Sequence, residues 1–376
     1  MYDVVVIGGG AMGSAAALRL ADEGREVLLL EQYRFGHDRG GSHGGTRLFR
    51  GAVDDADYLD RVEQARVLWN ELEDRAGVAL LEVTGGLDHG TGDAIVSTFR
   101  DLFGSRRLAH EVLDPDEAAE RWPGMRFRSP VLYQEGSGRL LCDRAVATVQ
   151  ALARSAGADL REGTRAEAVR VERVGDGVAD GRVTVEAGGE TLRARQVVVT
   201  AGPWAPALLD GLLDGIATLP PLRVTQEQPR FFAPRAASAA WPSFVHWRTD
   251  GAESYGLYEA GSGVKVGLHA TGPEIDPDVR RPSDPDVDAA LLRYVEEWLP
   301  GLDPTRSTPI SCLYDNTPRE TFVIDRVGPV TVATGFCGQG FKFVPLVARY
   351  VADLVTGAGG PPADYRLAAH VTFRAG

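Results

Sequence analysis

Asp3-Val-Val-Val-Ile7, Gly8-Gly9-Gly10-Ala11-Met12-Gly13, a small-residue stretch from Ser14 to Glu23, and Glu26-Val-Leu-Leu-Leu-Glu31 follow one another at the start of the chain. The order reads strand, glycine turn, helix, strand and acid. All of it fits in about 30 residues, which is what a Rossmann-like β-α-β dinucleotide unit requires. Gly8 suits the tight turn, Gly10 leaves room for a pyrophosphate against the backbone, and Gly13 lets the helix lie close on the strand. The helix N-terminus offers N–H groups to phosphates. Glu31 can accept hydrogen bonds from ribose hydroxyls.

The chain has 376 residues, enough for one large two-part domain or for two domains. Apolar residues make up 44% and charged residues 25%, ordinary values for a globular protein. A formal net charge of −13 lacks the basic footprint of a nucleic-acid binder. No run of 18 apolar residues predicts a membrane span. The first strand begins by Asp3, which leaves no room for a signal peptide. Cys142, Cys312 and Cys337 lie far apart, with no C-x-x-C pair, and read neither as a disulfide frame nor as a zinc site. These features predict a cytoplasmic protein with no metal and no nucleic-acid or membrane partner.

Of 40 basic residues only Lys265 and Lys342 are lysines. Arginine excess fits the codon bias of a GC-rich genome. The two remaining lysines mark places where a compact amine with a tunable pKa serves and a guanidinium does not.

Farther along, Gly36 to Arg50 is a loop rich in Gly, Ser, His and Arg. Asp57 to Ala76 and Leu141 to Ala156 have helical spacing. A hairpin is expected around Gly175-Asp176-Gly177, and Gln196 to Thr200 reads as a buried strand. Between Leu219 and His269, prolines and aromatics alternate with short strands, as in an antiparallel sheet. Asp286 to Trp298 reads as an amphipathic helix. Near the end, the strand Val330 to Ala333, the turn Gly335-Phe336-Cys337-Gly338-Gln339-Gly340 and the helix Val344 to Thr356 form a second strand-glycine-helix unit.

Four stretches together resemble the monomeric sarcosine oxidase and N-methyltryptophan oxidase family, FAD-dependent amine oxidases related to D-amino acid and glycine oxidases. They are Gly8 to Gly13; Gly41-Ser42-His43-Gly44-Gly45-Thr46-Arg47-Leu48-Phe49-Arg50; Val264-Lys265-Val266-Gly267-Leu268-His269; and Cys312-Leu313-Tyr314 with Thr317-Pro318, followed by Gly335 to Phe343. The first is generic, and the others are specific. The resemblance implies an α/β fold: a Rossmann-like FAD-binding domain from 1–85, 140–215 and 315–376, and a mainly antiparallel substrate domain from 86–139 and 216–314.

The resemblance also implies roles. Cys312 matches the cysteine joined by a thioether to the 8α carbon of the flavin. Arg47 and His43 match residues lying against the ring, where positive charge stabilises the anionic reduced flavin. Lys265 matches the lysine beside which oxygen is reduced. Arg50 and Lys342 match the pair that grips the substrate carboxylate. His269, Tyr255 and Tyr314 fall on positions lining the substrate cavity. The expected cofactor contacts are completed by Gly8, Gly10, Ala11, Met12, Gly13, Glu31, Thr46, Val169, Gly202, Trp204, Gly338, Gly340, Phe341 and Lys342. Three departures bear on substrate identity. Gln339 stands where the family often has His, His43 stands alone where relatives often have two histidines, and Thr317-Pro318 continues Arg319-Glu320.

The reaction so implied is oxidation of the C–N bond of a secondary or N-methylated α-amino acid by a monomer. Dioxygen is the acceptor, and hydrogen peroxide and a hydrolysable imine are the products. An oxidase of cyclic imino acids, or of a biosynthetic-pathway amino acid, on the same scaffold is the nearest alternative. An NAD-dependent dehydrogenase would satisfy the first glycine turn but leaves Cys312 and the Gly335–Lys342 unit without purpose. A non-catalytic flavoprotein would not need Lys265.

Overall fold

Val4 to Ile7 and Val27 to Leu30 carry no polar side chain, as parallel strands covered on both faces require. In the computed structural model, which describes residues 1–370 except 52–54, 91, 175–176, 214–216, 237–240 and 249, they form strands Tyr2–Ile7 and Val27–Leu30. The two pair in parallel from Val4↔Val27 to Ile7↔Leu30. Helix Ala11–Asp22 makes the crossover. Its close approach depends on missing side chains. A Cβ on Gly13 would lie 1.9 Å from the Gly8 carbonyl oxygen, and one on Gly8 would lie 2.4 Å from that of Thr200.

The long strand Glu190–Val199 ties the two ends of the chain together. One edge pairs in parallel with Tyr2–Ile7. The other edge pairs first with Gly177–Ala187, antiparallel, and then with Val330–Thr334, parallel. The second strand-glycine-helix unit therefore joins the same sheet as the first. Its helix, Val344–Thr356, packs on helix Ala11–Asp22, and Leu346, Val347 and Val351 share one buried apolar cluster with Ala15, Ala16 and Leu20. Strands Ala166–Val174 and Gly177–Ala187 form the expected hairpin; its turn residues Gly175 and Asp176 lie outside the described residues.

A second sheet draws its strands from the 86–139 and 216–314 spans. Its order is Leu302–Pro309, Arg230–Pro234, Gly263–Leu268, Glu253–Glu259, Ser243–Trp247, Gly86–Gly90, Val131–Gln134 and His110–Leu113. Every pairing is antiparallel except Ser243–Trp247 with Gly86–Gly90, which is parallel. These two strands are far apart in sequence, so a crossover connection is available to them. Helix Pro285–Trp298 covers one face, packing Leu291, Val295 and Trp298 on Val264, Val266 and Phe232. Alternation along a strand then sends Lys265 to the opposite face. Cys312–Asn316 pairs antiparallel with Arg223–Glu227 in a separate two-stranded sheet.

The Gly13 contact makes a prediction. Gly13→Ala should destabilise the protein by about 1–3 kcal/mol, because the added methyl meets backbone that cannot step aside. Thermal unfolding and the bound-flavin content of the purified variant check it; an unchanged melting temperature would contradict the packing.

Candidate active site

Two cavities meet along the Gly8 to Gly13 turn. The larger, of about 570 Å³, is lined by Gly8, Gly10, Glu31, His43, Gly202 and Trp204 among others. The smaller, of about 280 Å³, begins at Gly10, Ala11 and Met12 and runs between the two sheets. Gly10, Gly41, Ser42, His43, Thr200, Gly202 and Pro203 line both, so the space is continuous. The combined shape suits an extended dinucleotide, since ligand sites commonly enclose about 300–1,000 Å³.

The donor set fits that reading. Gly10 caps helix Ala11–Asp22 without a side-chain bond, and no acid occupies the first turn, so the positive helix end faces the cavity. Burial, reinforced by Arg47 and Arg280, lowers the His43 pKa to about 4. Its neutral imidazole leaves Nε2 buried and without a partner among the described residues. The Glu31 carboxylate accepts from Gly9 N at 2.8 Å and from Tyr33 N at 2.9 Å, so it fixes the turn as well as facing the larger cavity. Val169 does not reach the lining. It is drawn into the apolar layer with Val185 and Leu28, and the start of the hairpin, Arg165 to Glu167, reaches the cavity in its place. Gly13 packs beneath the turn rather than beside the cavity.

The smaller cavity gathers residues from four separated stretches. Arg47, Arg50, Tyr255, Lys265, His269, Cys312, Tyr314, Gly338, Gln339, Gly340, Phe341 and Lys342 all line it. Arg47 donates to the carbonyls of Thr46 (2.9 Å), Gly41 (3.0 Å) and His43 (2.7 Å), which folds the loop back upon itself. The Lys265 ammonium crosses from the second sheet to the Thr46 carbonyl at 2.5 Å. Burial and then Arg47 lower its pKa to about 8. The Cys312 thiol is raised by burial, against the pull of Arg47 and Lys265. His269 lies 5.6 Å from Tyr314, ring to ring. Burial raises both Tyr255 and Tyr314, so each keeps its phenol proton.

Arg50 and Lys342 stand at the far side. Arg50 pairs with Asp88 at 3.2 Å and lies 5.2 Å over the Trp247 ring. Asp88 also accepts from Trp247 Nε1 at 2.9 Å and from Gln134. Lys342 donates to the Tyr58 hydroxyl at 3.0 Å, and that hydroxyl donates to Gln339 Oε1 at 2.9 Å. Burial and then Arg50 lower the Lys342 pKa to about 7. Asp55 caps the helix that carries Tyr58, and Trp69 on that helix donates to the Lys342 carbonyl at 2.8 Å.

Sequence reasoning missed Tyr58, Asp88, Glu253, Glu259 and Asp315. Asp315 accepts from Gly335 N (2.7 Å) and Thr334 Oγ1 (3.0 Å), locking the Cys312 strand to the second glycine turn. Its place directly after Cys312-Leu313-Tyr314 was the available signal only once the turn it binds was known.

Among the described residues no group of His, Cys, Asp or Glu could hold a metal, and no helix is long and apolar enough to cross a membrane. A family model for FAD dependent oxidoreductases, DAO, matches residues 3–354. Monomeric sarcosine oxidase of Bacillus sp. (strain NS-129) is 31% identical, covering 94% of this chain and 93% of the relative. N-methyl-L-tryptophan oxidase of Salmonella dublin is 27% identical, covering 95% of each. The open form of NikD, an amino acid oxidase of nikkomycin biosynthesis, superposes with a TM-score of 0.84 at 26% identity, covering 96% of both chains. With the two glycine turns in one sheet and a dinucleotide-shaped space between them, the chain belongs to the FAD-dependent oxidoreductase (DAO) family, on the branch that holds the monomeric sarcosine and N-methyl-tryptophan oxidases.

Proposed function

We propose that the protein is a cytoplasmic, monomeric oxidase of a secondary or N-methylated α-amino acid, with FAD attached through Cys312. The observation that carries this reading is the smaller cavity, which pairs a carboxylate clamp, Arg50 and Lys342, with Lys265 and Cys312. FAD, when bound, accepts the two electrons of C–N oxidation and passes them to dioxygen. The chain's residues do the rest. Arg50 presents a fork held by Asp88, and Lys342 adds a point charge held by Tyr58. Together they orient a carboxylate, and Tyr255, His269 and Tyr314 close around the rest of the substrate. The reacting amine must be neutral, and a cavity lined by four cationic side chains favours that form. Lys265 keeps a cation where reduced oxygen would develop negative charge. Three free buried cysteines suit a reducing compartment. Relatives named for sarcosine and N-methyl-L-tryptophan support the substrate class, and the word monomeric in the first name supports the assembly state.

Three outcomes are expected. Acid precipitation of the holoenzyme should give a yellow pellet and Cys312→Ser a colourless one; a colourless wild-type pellet removes the covalent link. Lys265→Met should slow reoxidation by oxygen far more than anaerobic reduction by substrate, measured by stopped flow. The wild-type oxygen rate should fall as pH rises through about 8, where Lys265 loses its proton; equal losses in both half-reactions would contradict the role. Lys342 is charged below about pH 7 and neutral above it. Binding of a simple carboxylate such as acetate, read from the flavin spectrum, should therefore weaken as pH rises through 7, and Lys342→Met should flatten that profile.

A further inference from the structure

Strand Glu253–Glu259 forms one wall of the smaller cavity. Alternate residues point the same way along a strand, and Glu253, Tyr255, Leu257 and Glu259 all line the space. Leu257 pairs with Lys265 across to the next strand, which fixes the oxygen-reducing end. Glu253 lies four residues farther on, about 13 Å along the strand. It faces the clamp end: Arg50 and Lys342 both pull its pKa down, while burial, the larger effect, raises it. Glu320, from the turn after Thr317, adds negative charge on the same side.

The two acids on this wall are not alike. Glu259 accepts from Thr46 Oγ1 at 3.0 Å and Ser262 Oγ at 2.9 Å, so its role in holding the loop accounts for it. The Glu253 carboxylate has no hydrogen bond or ion pair among the described residues; its main chain pairs with Trp247, and its carbonyl accepts from His269 N at 2.8 Å. A half-buried carboxylate at the start of a strand, without a partner among the described residues, costs stability. Among the described residues, Asp88, Glu253 and Glu320 set three acids beside Arg50 and Lys342 at this end of the cavity. A bound substrate carboxylate adds a further anion, and the reacting amine is neutral. A cation on the substrate side chain offsets part of that negative charge.

We infer that Glu253 is a specificity-determining residue that receives a positively charged group on the substrate side chain. The preferred substrate is then a secondary α-amino acid with a basic side chain, of the lysine or ornithine kind. This rests on the oxidase reading above. Hydrogen bonds to charged groups commonly discriminate by about tenfold or more. The holoenzyme should therefore favour Nα-methyl-lysine over Nα-methyl-norleucine by about tenfold or more in kcat/KM. Glu253→Gln, matched for flavin content, should bring the ratio near one. A wild-type ratio of one or below, or the same ratio in Glu253→Gln, overturns the inference. Binding of 6-aminohexanoate and hexanoate, read from the flavin spectrum, tests the same preference without turnover. Preference for 6-aminohexanoate that vanishes in Glu253→Gln supports the inference, and equal binding overturns it. Absence of peroxide from every N-methyl amino acid would instead count against the oxidase reading, which this binding measurement does not need.

Discussion

Four cations, Arg47, Arg50, Lys265 and Lys342, converge on one cavity of about 280 Å³. Burying even one unpaired charge costs several kcal/mol, so the surroundings must be built to receive all four. The chain answers in three ways. Arg47 is absorbed by three backbone carbonyls of its own loop. Arg50 has a fully buried carboxylate, Asp88, that two further donors hold in place. The two lysines each keep a single oxygen partner, and burial lowers their pKa to about 8 and about 7. An arginine could not yield in this way, because its guanidinium stays charged. That is a physical reason for amines at these two positions in a chain whose other 38 basic residues are arginine.

These contacts also tie together elements that are distant in sequence. Lys265 belongs to the second sheet and bonds Thr46, which follows the first nucleotide unit. Lys342 lies within the second unit, between its glycine turn and its helix, and bonds Tyr58 on an intervening helix. Asp315 connects the Cys312 strand to the glycine turn at Gly335. The groups that would hold a ring and a carboxylate are thus positioned by buried polar bonds between elements far apart in sequence. Such networks fix geometry when every member is satisfied.

How much of this was legible follows from the kind of signal each residue carries. The β-α-β unit was readable from the glycine spacing together with the flanking apolar strands, the small-residue helix and the acid Glu31, and close backbone approach at Gly8 and Gly13 explains why glycine stands there. The Val264-Lys265-Val266 stretch was legible only through the resemblance; in the fold the two valines share an apolar cluster with helix Pro285–Trp298 and Lys265 lines the cavity. Val169 misled because a valine in a hairpin strand satisfies either a cavity or a core. Asp88, Tyr58 and Glu253 carried no local mark at all. Each is an ordinary residue in a strand or helix, and its meaning comes from what a distant segment brings beside it.

That difference separates the chemistry of the family from the choice of substrate. Cys312, Lys265, Arg50 and Lys342 sit in the stretches that carry the family resemblance. Gln339 and Glu253 line the same cavity, and on the proposed reading they would meet the substrate's remaining atoms. Gln339 is engaged by Tyr58 and so is spent on positioning Lys342. Glu253 has no such duty among the described residues, and its carboxylate stays turned to the cavity. A side chain without a hydrogen bond or ion pair among the described residues, beside a charged clamp, is the part of this site that would vary without disturbing the oxidation.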